Sequence, residues 1–453
     1  MTYRRYVPYN RNRRSSVATL FGRYKNPQQH LSAKFPWMAV DTPARIVIVG
    51  AGPIGIEAAL YARFLGYEVT VFDSGEVGSH LLQWGHVSMF TPFGANSTPL
   101  GLSALAAQDD RYQPPADNAI LTGSEFVEHY LLPLAQTDLV SDGLKLHHEV
   151  LSIARKSQLK HENLGEEARA EEPFVTFVRD AEGHEHLFES EIVLDCSGVQ
   201  GQSNFLGGGG NPTVGERECR AHLDYGVINA SDADHQRYAN QQILVVGSGF
   251  TAAANIVQLS QLARESLETH VVWLTRDDCP TEQGGPMAIE RDDPYPQRKR
   301  VLEQANQAAS AEDGHVDHWP GTSIKAIHYE PQNDHFHVTL AGKHEGVHTF
   351  DRVVANVGHR PDLEMFRELQ VATCCVSESP RAWRPNEDAD SDAHDKTPLI
   401  HPEPNFYILG AKSYGRRSDF VLATGFDQIR RVFAMIGART NLNLYAKPMT
   451  KSE

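Results

Sequence analysis

The sequence predicts an α/β fold with two strand–glycine turn–helix units of one type. Three observations predict it. An apolar β-branched run leads straight into a glycine-rich turn and a helix-forming stretch at residues 45–65, and the same succession recurs at 243–262. A second β-branched run follows each, at 69–72 and 270–274. Further short apolar runs bounded by glycine suit parallel strands buried on both faces.

The first unit opens with Ile46-Val47-Ile48-Val49, read as a buried strand. Gly50-Ala51-Gly52-Pro53-Ile54-Gly55 follows, then an Ala-, Leu- and Glu-rich helix over 56–65, ended by Gly66. Gly50 permits the tight turn, Gly52 lets the backbone approach a pyrophosphate, and Gly55 lets the helix pack close to the strand. The helix N-terminus supplies free N–H groups and a positive dipole end. Asp73 ends the next strand, 23 positions after Gly50, where an acid can accept hydrogen bonds from ribose hydroxyls. Ser74 belongs to the same candidate site.

The second unit has the strand Ile243-Leu244-Val245-Val246, the turn Gly247-Ser248-Gly249-Phe250-Thr251-Ala252, and a helix over 253–262. Alanine is allowed at the third glycine position. The strand at 270–274 ends in Thr275-Arg276. A guanidinium suits a 2′-phosphate, which favours NADPH over NADH; Asp277 and Asp278 beside it argue the other way, so NADH stays open. Two such units fit two dinucleotides, one flavin and one nicotinamide, between which hydride can pass.

The chain resembles the two-dinucleotide-domain flavoproteins, a superfamily that includes thioredoxin reductases, glutathione-reductase-like enzymes and flavin-containing monooxygenases. Four later stretches carry the resemblance further. Ile192-Val193-Leu194-Asp195-Cys196-Ser197-Gly198 resembles the segment that leaves the FAD domain. The stretch 351–362, with Gly358-His359-Arg360-Pro361-Asp362, resembles the one that returns to it. Asn405-Phe406-Tyr407-Ile408-Leu409-Gly410 resembles the late strand at the flavin ribityl chain. A helix after Thr424-Gly425, through Gln428 and Arg431, resembles the one aimed at the flavin pyrimidine edge. The resemblance implies a FAD-binding Rossmann-like domain split by an inserted NAD(P)-binding Rossmann-like domain. The expected boundaries are 45–237 and 351–445 for the FAD domain and 238–350 for the insertion. FAD then sits at Gly50, Gly52, Pro53, Ile54, Gly55, Asp73, Ser74, Trp84, Gly198, Gly358, Gly410 and Gln428. NADPH sits at Gly247, Gly249, Phe250, Thr251 and Arg276.

Departures from the family pattern bear on the chemistry. No Cys-x-x-Cys or Cys-x4-Cys occurs, which argues against a flavin-adjacent dithiol. Cys374-Cys375 lie in a run read as β, where neighbours face opposite ways. Cys196 reads as a small hydrophobe beside the crossover glycine. The late strand ends in Gly410-Ala411 where disulfide reductases usually have Gly-Asp. The stretch 218–226 does not match the Phe-x-Gly-x-x-x-His of flavin-containing and N-hydroxylating monooxygenases. Monooxygenation of a small molecule with O2 is favoured by elimination. The alternatives are a flavin or ferredoxin-type reductase serving a partner, and a non-catalytic FAD/NAD(P)-binding sensor.

The loop at 84–93 is the candidate cover of the flavin. His86 in it is the candidate proton carrier, since its ordinary pKa lies near working pH; with 22 His in the chain, one more in a loop is weak evidence. Asn96 is a second candidate, as an amide that can read flavin or substrate. Gly207-Gly208-Gly209-Gly210 reads as a flexible loop, 412–419 as a solvated one, and Glu162–Glu172 and Pro385–Lys396 as exposed segments.

Composition excludes several classes. The 453 residues suggest about three domain-sized units. The formal charge is -16, and residues 1–40 hold six Arg, two Lys and no acid, so a +8 segment precedes a -24 body. That segment, with residues 41–44, is expected to be a disordered extension outside the fold. It reads as a basic arm, a transit-like peptide, or sequence ahead of a start at Met38. The acidic body is a poor match for nucleic acid. No apolar run approaches the roughly 18 residues of a membrane span. Five cysteines and no metal-ligand spacing fit a cytoplasmic protein without a disulfide scaffold or metal.

Overall fold

In the computed structural model the described residues are 40–164, 166–229, 234–277, 285–290, 293–311, 313–381 and 399–446. The basic segment up to residue 39, Asp278, Cys279 and Pro385–Lys396 lie outside them.

The strands are β1 Arg45–Val49, β2 Glu68–Phe72, β3 Leu144–Lys145, β4 Glu149–Arg155, β5 Phe174–Arg179, β6 Glu185–Ser190, β7 Ile192–Asp195, β8 Gln242–Val246, β9 His270–Leu274, β10 Val316–Trp319, β11 Thr322–Glu330, β12 His335–Gly342, β13 Gly346–Phe350, β14 Arg352–Ala355 and β15 Phe406–Ile408. Two parallel sheets form, ordered β15-β7-β1-β2-β3 and β10-β9-β8-β14. Two antiparallel sheets, β4-β5-β6 and β11-β12-β13, complete the fold.

Strand residues alternate between faces, and the cores follow that period. In the outer unit, Ile46 and Ile48 pack against the helix Pro53–Phe64 and the late helix Leu422–Ile436. Val47 and Val49 turn the other way onto Ile153, Phe174 and Val178 of the antiparallel sheet. In the inner unit, Val245 and Trp273 meet the helices Phe250–Glu265 and Pro296–Ser310. Leu244 and Val272 meet Ile324, Phe336 and Val338. Each parallel sheet is therefore a middle layer, buried on both faces, as its uninterrupted apolar strands require.

The inner unit reaches beyond the expected 238–350. β14 pairs with β8, and Leu206, Cys219 and Leu223 pack into the inner core. The expected boundaries fall inside that packing because glycine and charge patterns do not show which core a loop fills. The late helix begins at Leu422, so Thr424 and Gly425 lie within its first turn. The run at 371–376 is no strand: only Thr373 bridges, to Pro380, and Cys375 enters a turn. The Glu-rich segment holds a helix at Glu167–Glu171, whose Arg169 is fully buried against Glu403.

Glu57 lies inside the first helix with 1% of its surface exposed. Thr98 donates to it at 2.7 Å, and the Tyr130 hydroxyl stands 3.5 Å from its other oxygen. Burial pushes its carboxyl from 4.5 up to about 7. A raised carboxyl pKa favours the fold below the unfolded value, and that contribution is lost as pH rises through the folded value. Wild-type protein should therefore lose up to about 3 kcal/mol between pH 4.5 and 8 through this group. Glu57→Gln should remove that component. Denaturant midpoints at pH 5 and pH 8 test it: an equal drop in both proteins rules the group out.

Candidate functional site

The carboxyl ends of β1, β7 and β15 meet at one edge of the outer sheet. β1 delivers Gly50 with φ +104°, and a Cβ there would stand 2.7 Å from the Cys196 carbonyl oxygen. At Gly55 a Cβ would fall 1.8 Å from the Gly50 carbonyl oxygen, so helix and turn touch backbone to backbone. Around Gly52 nothing lies within 4 Å of the Cβ direction, and Gly52 is the N-cap of the helix that Pro53 begins. Open space over a helix N-terminus is what a pyrophosphate needs. Ile54 is buried beneath Gly410 and Gly425.

Asp73 makes two backbone contacts at the turn. One of its oxygens accepts from the Ala51 N–H at 2.6 Å and the other from the Gly75 N–H at 2.8 Å. It shapes the Gly50–Gly55 turn, and its remaining lone pairs stay free to accept further hydrogen bonds. Ser74 is exposed beside it.

The second unit repeats this construction. Gly247 has φ +130°, and a Cβ would stand 2.1 Å from the Asn356 carbonyl oxygen. Gly249 caps the helix Phe250–Glu265 and is open on its Cβ side, with Thr251 half-buried in the first turn. Buried Asn255 donates to the Gly226 carbonyl at 2.9 Å and to Asn356 at 2.8 Å, tying helix to crossover. Arg276 is exposed, donates to the Gly208 carbonyl at 3.2 Å, and lies 3.7 Å from Asp277. The tetraglycine loop is therefore not detached: Gly207 bridges to Ile324 and Gly208 faces Arg276.

Two crossover segments join the units. Asn204 N–H donates to the Gly358 carbonyl at 3.0 Å, and Arg360 N–H to that of Gln202 at 3.0 Å. Gly198 and Gly358 both have positive φ. His359, next in line, is held below its ordinary pKa by burial and by the neighbouring His80. Trp84 reaches the same place: its indole N–H donates to the Gln200 amide oxygen at 3.1 Å.

The residues expected over the flavin make protein contacts of their own. His86 Nε2 donates to the Ile228 carbonyl at 3.0 Å, and Phe90 stands edge-on to Phe250 with centroids 4.5 Å apart. The 84–93 loop thus ties the outer unit to the inner one, and His86 serves that contact. Asn96 is buried, accepting from the Thr91 hydroxyl at 2.7 Å and donating to the Thr91 carbonyl at 2.9 Å. Its amide is committed within its own loop.

Residues 412–414 are not solvated. Lys412, Ser413 and Tyr414 are buried after β15. Lys412 lies 2.6 Å from Asp195, both side chains wholly buried, and donates to the Ser197 hydroxyl at 3.0 Å. Gln428 accepts from the Gly410 N–H at 2.8 Å and donates to the Ser413 hydroxyl at 2.8 Å, fixing the late loop to the late helix. A lysine after a glycine turn gave no local signal of its partner, which lies 217 positions earlier in sequence. Burial pushes the Cys196 thiol well above its ordinary pKa, so it stays protonated and unreactive. Among the described residues no group of three His, Cys, Asp or Glu is placed to hold a metal ion, and no helix is long and apolar enough to cross a membrane.

The comparisons agree with this architecture. The family model for pyridine nucleotide-disulphide oxidoreductases matches residues 21–78, a stretch that contains the first fingerprint. The chain is similar to the bacillithiol disulfide reductase of Bacillus cereus at 14% identity and TM-score 0.62, covering 87% of this chain and 99% of that one. It is similar to the FAD-bound cadaverine monooxygenase of Erwinia amylovora at 12% identity and TM-score 0.57, covering 91% and 100%. A flavin monooxygenase of Stenotrophomonas maltophilia matches at 17% identity and TM-score 0.54, covering 88% and 99%. No curated protein sequence matches. The chain shares the fold of these three proteins.

Removing one member of the buried Asp195–Lys412 pair should be costly. Lys412→Met strands a carboxylate and should destabilise by about 3–5 kcal/mol. Adding Asp195→Asn should recover most of that, since the amide oxygen still accepts from Ser197. Denaturant unfolding of the single and double variants decides; a single variant within 1 kcal/mol of wild type, on the order of a surface change, contradicts the pairing.

Proposed function

We propose that the chain is an FAD-dependent NAD(P)H oxidoreductase acting on a small molecule. The observation that carries it is the pair of open helix N-termini at Gly52 and Gly249, each built on a glycine pressed against a crossover carbonyl. FAD at the first site would supply two-electron redox chemistry, and NAD(P)H at the second would supply the reducing equivalent. Gly50 to Gly55 seat the flavin pyrophosphate, Asp73 orders that turn, and Gln428 holds Gly410 at the late loop. Gly247 to Thr251 seat the nicotinamide dinucleotide, with Arg276 toward a 2′-phosphate.

Monooxygenation is the finer reading. The sequence has no Cys-x-x-Cys, and Cys196, the cysteine at the flavin crossover, is buried and held protonated. Two of the similar structures are monooxygenases by name. Electron transfer to a partner without oxygen entering a product is the competing outcome.

Purified protein should be yellow, retain FAD, and bleach under anaerobic NADPH. Colourless protein that FAD does not reconstitute sinks the proposal. Arg276→Ala should weaken NADPH roughly tenfold or more and NADH little, as befits a lost charged contact. Stopped-flow bleaching at several concentrations of each nucleotide measures both, and equal losses remove Arg276 as the 2′-phosphate reader.

A further inference from the structure

Phe205 lies on the first crossover segment, just after Asn204 has paired with Gly358. Three arginines converge on its ring. The guanidinium carbons of Arg217, Arg220 and Arg360 stand 5.6, 5.2 and 5.7 Å from its centroid. Arg220 also lies 5.4 Å from the ring of Tyr225, whose hydroxyl is buried with no hydrogen-bond partner among the described residues.

The arrangement is built. Arg360 is set by its N–H bond to Gln202. Arg217 and Arg220 sit at the short helix Glu216–Cys219, which Glu216 anchors by accepting from the Leu206 N–H at 3.0 Å and the Thr213 N–H at 2.9 Å. Both Glu216 oxygens are spent there. Among the described residues the three guanidinium groups make no side-chain hydrogen bond and no ion pair. Arg155, Arg169, Arg179 and Arg237, by contrast, each donate to a carboxylate.

Three like charges around one ring repel, and the ring face offsets only part of that. In a -24 body such a cluster is out of keeping with its surroundings. Fifteen unused N–H donors in planar forks match phosphate or carboxylate oxygens. The place is also apt. Arg360 follows β14 at the carboxyl edge of the inner sheet, its neighbour His359 meets His80 of the outer unit, and Gly208 beyond Phe205 faces Arg276.

We propose that Arg217, Arg220 and Arg360 around Phe205 form a binding site for the phosphate or carboxylate group of an anionic small molecule, separate from the dinucleotide seat. Naming that molecule the substrate rests on the oxidoreductase reading; the anion site itself does not.

Calorimetric titration of the full chain, saturated with NADP+, with inorganic pyrophosphate at low ionic strength tests the site. Wild-type protein should bind one pyrophosphate. Arg220→Gln and Arg360→Gln should each weaken it at least tenfold, Arg360→Lys less, and Arg276→Gln less than twofold. NADP+ affinity and thermal unfolding should stay as in wild type for the cluster variants, which separates lost contacts from misfolding. Absence of pyrophosphate binding beside NADP+ overturns the proposal. So does a parallel loss of NADP+ and pyrophosphate affinity in the cluster variants, because the arginines then serve the dinucleotide. If NADP+ itself does not bind while pyrophosphate does, the oxidoreductase reading fails and the anion site stands.

Discussion

The architecture depends on one steric constraint, met twice. The first glycine of each fingerprint lies against a backbone carbonyl of a crossover segment, Gly50 against Cys196 and Gly247 against Asn356. Both have φ beyond +100°, where an L side chain is strained, and both lack room for a methyl group. Each strand-to-helix turn is therefore closed by the segment that leaves or enters its own unit. Because Asn204 and Arg360 join those segments to one another, backbone hydrogen bonds link the two helix N-termini.

Side chains then reinforce what the backbone sets. Lys412 and Asp195 place a fully buried ion pair where β7 and β15 end. Such a pair is expensive to desolvate and contributes little net stability, but it penalises any arrangement that separates its members. Asn255 does the same work without charge in the inner unit, bonding Gly226 and Asn356. His86 and the Phe90–Phe250 contact also join the units. The carboxyl edges of both sheets, where open α/β sheets bind ligands, thereby face a common region. There the acidic body carries a cluster of three arginines that make no ion pair among the described residues.

Periodicity and glycine spacing were enough to read both fingerprints, their helices and the strands that follow, because those signals are local. Val47 and Ile48 announce a strand buried on both faces without any knowledge of what covers it. The functional reading of single loop residues fared differently. His86 and Asn96 are chemically able to act on a flavin, yet one bonds Ile228 and the other its own loop. Lys412 read as solvated because it stands among polar residues, and is buried because a carboxylate waits for it on a distant strand. Arg217, Arg220 and Arg360 carry no motif at all.

The sequence by itself determined that two glycine turns would close under helix N-termini, since only glycine meets that backbone geometry and spacing records it. It also determined that parallel strands would be covered on both sides. The tertiary structure alone decided which crossover each turn leans on, where the inner unit begins and ends, and which charges find partners. Those outcomes are set by contacts between residues far apart in the chain, and a pairwise contact of that kind leaves no periodic trace along either segment.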